Sequence, residues 1–307
     1  MKVLIELPTW LGDCVMATPA IENIVNFDND TQITLIGSFV SIEALKNHPE
    51  VVKTVVLSKK YRDLVKISKE LGDFDIFFSF RSSIRSKFLK FFISAENKYQ
   101  FDKNTYQNRH QVEKYNDFVN DSLSINLTAK KLQIYGYSTS KNKKKILGIN
   151  PGASYGSAKR WYPEEFAKVA GELSSQYDIV IFGGPGEKDI AMDIEKSLLE
   201  KGIDNYQNLA ANTTIPELID HISKLDLFIT GDSGPMHVAA AFQVPTVAIF
   251  GPTKDDETSQ WMNDKSIIVK KNLGCQPCMK RTCPLQHHEC MKLITAVEVL
   301  DAVKGLD

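Results

Sequence analysis

A chain of 307 residues that is 43% hydrophobic and 24% charged holds enough apolar material for two ordinary domains, which excludes a disordered or low-complexity protein. The formal net charge of −1 points to neither nucleic acid nor membrane, and no nucleic-acid partner is expected. No run reaches the roughly 18 uninterrupted apolar residues of a spanning helix; the best, 236–250, is broken by Gln243 and Pro245, so the chain is expected in the cytoplasm.

The first apolar run, 1–7, meets Pro8 and Gly12 too soon for the core of an export signal and reads as a strand. From there, short β-branched runs bounded by Gly, Pro, Asn or Ser alternate with amphipathic stretches, the rhythm of βα units around a parallel sheet. Strands are predicted at 2–7, 32–36, 54–57 and 75–80, with helices such as 19–26 and 42–47 between them. The polar stretch 138–144, rich in lysine (Lys141, Lys143, Lys144), lacks apolar periodicity and marks a domain junction. Strands resume at 145–150, 178–182, 227–230, 246–250 and 266–269. The predicted architecture is α/β: two Rossmann-like domains, 1–144 and 145–307, facing a central cleft between sheet edges where such folds bind ligands, with the last helix a candidate to pack back on the first domain. Residues 1–145 carry 22 Lys+Arg against 16 Asp+Glu and the remainder 15 against 22, so the first half suits an anionic partner better, although the linker lysines contribute to its excess.

The loop after the first strand, 8–13, holds one glycine where a dinucleotide fingerprint needs three, which disfavours a nicotinamide enzyme. Asp13 stands there at the start of a helix, either as a cap for free backbone N–H groups or as a carboxylate facing the cleft. After the strand at 145–150, Gly152 and Ser154 allow close backbone approach and offer a hydroxyl, and Lys159 adds a positive charge, a set suited to a diphosphate but outside the P-loop register. Gly183, Gly184 and Gly186 make a tight loop that would put Glu187 on a sugar or base edge, or simply form a turn. In Gly231-Asp232-Ser233-Gly234-Pro235-Met236-His237 a strand runs into a small-residue helix whose free N–H groups and dipole favour an anion, with His237 one turn in.

That last segment and the following Val244-Pro245-Thr246-Val247-Ala248-Ile249-Phe250-Gly251-Pro252-Thr253 resemble the donor-phosphate motif of glycosyltransferase family 9. Together with Gly12-Asp13, Lys159 after Pro151-Gly152-Ala153, and Gly183-Gly184 before Glu187, the resemblance spans essentially the whole chain in the expected order. It implies a GT-B fold, a nucleotide-diphospho-heptose donor and inversion at the anomeric carbon. On this reading Asp13 takes the acceptor proton; Lys159, Ser154, Ser233, Gly234 and His237 serve the diphosphate; Asp232 holds the loop or meets the donor sugar; and Glu187 meets the ribose. Arg81, Arg85, Lys87 and Arg109 are the candidates to hold an anionic, phosphorylated Kdo-lipid acceptor at the inner face of the inner membrane. Phe88, Phe91 and Phe92 among them are expected to pack a helix. The segment 275–291 resembles the branch that adds the second core heptose from ADP-heptose; a first-heptose enzyme and a nucleotide-sugar epimerase are the alternatives. Mg²⁺ is expected at most to assist through the diphosphate.

Cys275, Cys278, Cys283 and Cys290 follow the spacing C-x₂-C-x₄-C-x₆-C. Clustered thiols in a cytosolic protein suggest metal before disulfide, and a structural zinc is the first reading, with free or oxidised thiols the alternative.

Overall fold

The computed structural model describes residues 1–28, 30–140, 143–152 and 154–306. The chain forms two compact units, Met1–Gly136 and Tyr137–Asp307. Of the lysines assigned to the linker, Lys141 lies outside the described residues, as does Ala153 of the loop after the sixth strand.

In the first unit the strands are β1 (Lys2–Glu6), β2 (Gln32–Gly37), β3 (Val51–Val56), β4 (Asp73–Ser79) and β5 (Ser94–Gln100), and the helices α1 (Leu11–Met16), α2 (Thr18–Phe27), α3 (Phe39–Leu45), α4 (Tyr61–Leu71), α5 (Ile84–Phe92) and α6 (Gln111–Leu123). All strand pairs are parallel in the order β3-β2-β1-β4-β5. β1 is central, and Val3, Leu4 and Ile5 are fully buried because helices cover both sheet faces. Ser38 and Ser83 accept backbone N–H bonds at the starts of α3 and α5, fixing where those helices leave the sheet edge.

The second unit contains β6 (Lys145–Asn150), β7 (Tyr177–Ile181), β8 (Tyr206–Asn208), β9 (Leu227–Gly231), β10 (Thr246–Phe250) and β11 (Ser266–Lys270), with α7 (Pro163–Leu173), α8 (Lys188–Glu200), α9 (Ile215–Ser223), α10 (Gly234–Ala241), α11 (Asp255–Thr258), α12 (Glu289–Lys292) and α13 (Ala296–Lys304). Its parallel sheet runs β11-β10-β9-β6-β7-β8. Every residue of β9 and β10 is buried, as expected of central strands whose apolar runs do not alternate. The last helix seats Val299 in the core of the second unit, where α13 packs on α7 and β11.

In both sheets the first strand lies between the second and the fourth, so the strand order reverses between β1 and β4 and again between β6 and β9. Helices leave opposite faces at such a point and open a crevice at the strands' carboxyl ends. Asp13 and Arg81 follow β1 and β4, and Ser154, Lys159 and Asp232 follow β6 and β9, at these two reversals, whereas Glu187 follows β7 and Arg109 follows β5.

Candidate functional site

In the second unit, Asn150 ends β6 and Thr230 lies beside it near the end of β9. The Asn150 amide donates to Thr230 Oγ1 (3.3 Å), Ser233 Oγ (3.2 Å) and the Gly152 carbonyl (3.4 Å). Thr230 and Ser233 share a hydroxyl bond of 3.0 Å. The Ser233 side chain is thus drawn into the strand edge and makes no capping bond to α10, although it occupies the cap position. The helix begins at Gly234 with Pro235 behind it and leaves its first-turn N–H groups without a side-chain cap, an anion-favouring arrangement. His237, one turn in, is buried along with Met236 and Val238.

Lys159 ends a single 3₁₀ turn, Ser157–Lys159, pinned by Trp161. The indole is buried and donates to the Ile294 carbonyl (2.9 Å). Lys159 Nζ lies 2.5 Å from Asp232 Oδ2 and donates to the Asp232 carbonyl at 3.1 Å. Thr253 Oγ1 donates to the same carboxylate oxygen at 2.7 Å. Three loops, after β6, β9 and β10, therefore converge on one largely buried carboxylate. The ammonium also lies over the Tyr155 ring, 4.9 Å from its centroid, and the Arg281 guanidinium lies 5.4 Å from that centroid. Cationic groups and a free helix start gathered on one rim are the means of holding a diphosphate.

Glu187 belongs to the same edge. Its Oε2 accepts the Gly184 N–H (2.7 Å), so the turn expected from the glycines is real. The carboxylate also lies so close to the β6 loop that a Cβ on Gly152 would stand 2.0 Å from Glu187 Cδ, so glycine is required there by close approach. Ser154 is exposed on this loop.

The cysteine segment is stitched to these loops by backbone and side-chain hydrogen bonds. Arg281 O accepts the Ala158 N–H (3.0 Å), His288 Nε2 meets Ala158 O (2.9 Å), Tyr155 OH donates to Met279 O (2.8 Å), the Gln276 amide donates to Gly251 O (2.7 Å), and Met279 N–H donates to Pro252 O (2.9 Å). Cys275, Cys278, Cys283 and Cys290 are free thiols lining one cavity of about 20 Å³. Burial first, and then its three neighbouring thiols, push Cys290 up to about 11. Four thiolates suit zinc in kind, yet among the described residues no group of three His, Cys, Asp or Glu is arranged to hold a metal ion, so zinc would need the thiols to close on one point.

In the first unit, Asp13 lies in the opening turn of α1, where Trp10 occupies the cap position; Asp13 is therefore not the helix cap, and it is half-buried. The charge of Asp13 reaches Tyr115, whose hydroxyl is pushed well up first by burial and then by that carboxylate. At the β1/β4 reversal the fully buried Glu6 accepts hydroxyl bonds from Ser79 (2.6 Å) and Ser86 (2.9 Å) and faces Arg81 at 3.5 Å. Burial raises the Glu6 carboxyl above its ordinary value, against the lowering effect of Ser79, Arg81, Ser86 and Arg85. Arg81 and Arg85 are thereby drawn to one spot, and Arg85 donates to the Ser58 carbonyl. Lys87 is exposed on α5, whereas Arg109 pairs with Asp117 and Glu113 of α6, which offsets its charge locally.

Glu6, Asn150 and Thr253 organise the two edges without having been assigned roles from sequence. For Thr253 the signal was its place after Gly251-Pro252, directly beyond β10; for Glu6 it was a carboxylate ending an otherwise apolar strand.

The fold thus defines a protein of two Rossmann-like units, the second of which gathers cationic side chains and a helix start without a side-chain cap at one sheet edge. The model of glycosyltransferase family 9 (heptosyltransferase) matches residues 99–289. The lipooligosaccharide heptosyltransferase 2 of Campylobacter jejuni is 46% identical, over 100% of this chain and 98% of that protein. The chain belongs to glycosyltransferase family 9. Among solved structures, Escherichia coli ADP-heptose lps heptosyltransferase II matches with a TM-score of 0.84 at 21% identity over 100% of this chain and 98% of its own. The E. coli heptosyltransferase WaaC, solved with ADP, matches at 0.80 and 14% over 100% of both chains. These likenesses establish the shared two-domain fold of the GT-B heptosyltransferases.

Proposed function

We propose that the chain transfers L-glycero-D-manno-heptose, with inversion, from ADP-heptose to the heptosyl-Kdo-lipid A inner core of lipopolysaccharide. The observation that carries this reading is the full-length 46% identity to a heptosyltransferase 2. The edge built around Asp232 supports the donor half: Lys159, the Ser233 and Gly234 backbone and the start of α10 meet the leaving diphosphate, and Glu187 meets the ribose. An acceptor hydroxyl attacks the anomeric carbon while Asp13 takes its proton; charge developing on the departing ADP is met by Lys159 and the helix start. No metal is required of the protein, and Mg²⁺ acts at most through the diphosphate. Arg81, Arg85 and Lys87 receive the anionic acceptor. Arg109 is the weakest member of that set because two carboxylates already face it. The acceptor's lipid places the enzyme in peripheral contact with the inner face of the inner membrane.

The test is ADP release from ADP-heptose by purified protein, with and without a heptosylated Kdo-lipid acceptor. Release coupled to sugar transfer and dependent on that acceptor is expected. Release without transfer would indicate hydrolysis, interconversion of the free donor an epimerase, and activity confined to the non-heptosylated acceptor a first-heptose enzyme. Asp13→Asn is expected to abolish transfer while ADP-heptose binding, measured by calorimetry, persists; near-normal turnover removes Asp13 as the base.

A further inference from the structure

Of the three phenylalanines of α5 expected to pack a helix, Phe88 packs in part against the core of the first unit, whereas Phe91 and Phe92 are exposed. Leu89 and Ser86 face the core and are fully buried, whereas Ile84 is 82% and Phe91 79% exposed. Residues 84, 88, 91 and 92 share one stripe of a 3.6-residue helix. Phe88 lies half-buried in the middle of that stripe, its ring 4.9 Å from Phe92 and 5.0 Å from Tyr61 at the start of α4, and Phe91 and Phe92 are 5.1 Å apart. The first unit thus holds out one continuous patch of four aromatic rings and an isoleucine. Around it stand Lys59, Lys60, Arg62 and Lys87, all exposed, and α5 contains no acidic residue. The nearby Asp63 accepts the Ser58 hydroxyl at 2.6 Å.

Exposed large apolar side chains gathered in one place mark a surface that is covered in use. Here the cover must accept aromatic rings and answer a rim of cations. A second copy of the same face would set like charges against one another, and an ordinary protein surface does not call for both features together. An anionic lipid surface does: ring and aliphatic side chains enter the boundary between headgroups and acyl chains, and lysines stay at the phosphates. α5, nine residues long, is too short to span a bilayer and would lie along it.

We infer that the α4–α5 face, with Ile84, Tyr61, Phe91 and Phe92 at its centre, docks the protein onto an anionic phospholipid bilayer. The inference deepens the membrane-contact part of the proposed function and rests on it for its purpose, but it can be tested without donor or acceptor. The full chain would be sedimented with vesicles of phosphatidylglycerol and phosphatidylethanolamine and with vesicles of phosphatidylcholine alone. Binding to the anionic vesicles, weakened by salt, and little binding to the neutral ones is expected. Ile84→Ser/Phe91→Ser should lower the partition coefficient by about tenfold or more, since two large apolar groups lose their non-aqueous surroundings. Lys59→Ala and Lys60→Ala should each lower it by about fivefold at low salt. All these side chains are exposed, so unchanged melting curves should accompany the loss. Vesicle binding by the Ile84→Ser/Phe91→Ser protein equal to that of the parent overturns the inference. So does a parent protein that ignores vesicles and instead forms a dimer that these substitutions dissolve. Failure of acceptor-dependent ADP release in solution would count against the transferase reading and leave the sedimentation result standing.

Discussion

Substitution of Lys159 by methionine isolates the ion pair at the centre of the second unit's edge. The stem is kept, and the charge that faces Asp232 at 2.5 Å is lost. Removing one partner of a buried pair costs about 3–5 kcal/mol, because the other charge is left uncompensated. The two side chains are 12% and 7% exposed. Thr253 still donates to the stranded carboxylate. About 2–4 kcal/mol is therefore the reasonable expectation. For a unit of this size each kcal/mol moves the melting midpoint by about 2–4 °C, so Lys159→Met should melt about 5–15 °C lower. Adding Asp232→Asn removes the stranded charge and should restore most of the midpoint, with a coupling of about 1–3 kcal/mol in the double-mutant cycle. Transfer should follow a different course. Neither Lys159→Met nor the double variant supplies a cation to a departing diphosphate, so both should show weak ADP affinity and little transfer. Calorimetric melting and titration with ADP separate the two effects. A Lys159→Met protein as stable as the parent, or a double variant no better than the single ones, refutes the pairing argument; undiminished ADP affinity refutes the placement of Lys159 at the diphosphate.

Gly152→Ala should push the Glu187 carboxylate off the Gly184 N–H, since the new methyl would stand 2.0 Å from Glu187 Cδ. Loss of that charge-assisted bond is expected to cost about 1.5–3 kcal/mol and to weaken ADP binding. Glu187→Ala in the same protein should recover the melting midpoint but not the affinity; full retention of both properties by Gly152→Ala alone would show that the contact is dispensable. The raised pKa of Glu6 means that the folded first unit holds this proton more tightly than the unfolded chain. The stability linked to it is complete below the unfolded value and is lost as pH rises through the folded one. Glu6→Gln, fixed in the neutral form, should therefore gain in melting midpoint relative to the parent as pH is raised through that interval, and a pH-independent difference would contradict the assignment. Metal analysis of protein purified without chelator decides between the two readings of Cys275, Cys278, Cys283 and Cys290: four titratable thiols without stoichiometric metal are expected from their arrangement, and one zinc ion per chain, lost on alkylation, would mean that the thiols close on one point.

The central strands were readable because their apolar runs are short, β-branched and bounded by turn residues, and Leu227–Gly231 and Thr246–Phe250 are buried as such runs require. Two edge strands were not. Ser94–Gln100 is largely polar and held to β4 by backbone bonds, and Tyr206–Asn208 spans three residues, so neither imposes a side-chain pattern. At the site, Lys159 and Asp232 were each legible from local motifs, but their pairing joins positions 73 residues apart. Thr253 enters the same way, across 21 residues. Of the aromatic residues of α5, Phe91 departs from the packing expected of it for a related reason: residue type does not reveal whether anything covers that side of the helix. Leu89 and, in part, Phe88 pack on the core of the first unit, whereas Phe91 stays exposed.

The stitching of the cysteine segment to the loops on either side of it bears on how such proteins can be recombined. A Cβ at Gly156 would stand 2.3 Å from the Arg281 carbonyl oxygen, and one at Gly251 would stand 2.4 Å from the Met291 sulfur. Segment and loops are therefore fitted to each other at the level of single methyl groups. A chimera that imports residues 275–291 from a relative must import the loops at 155–158 and 251–253 with them, and a boundary drawn at the cysteines alone would divide what the fold treats as one inheritable block.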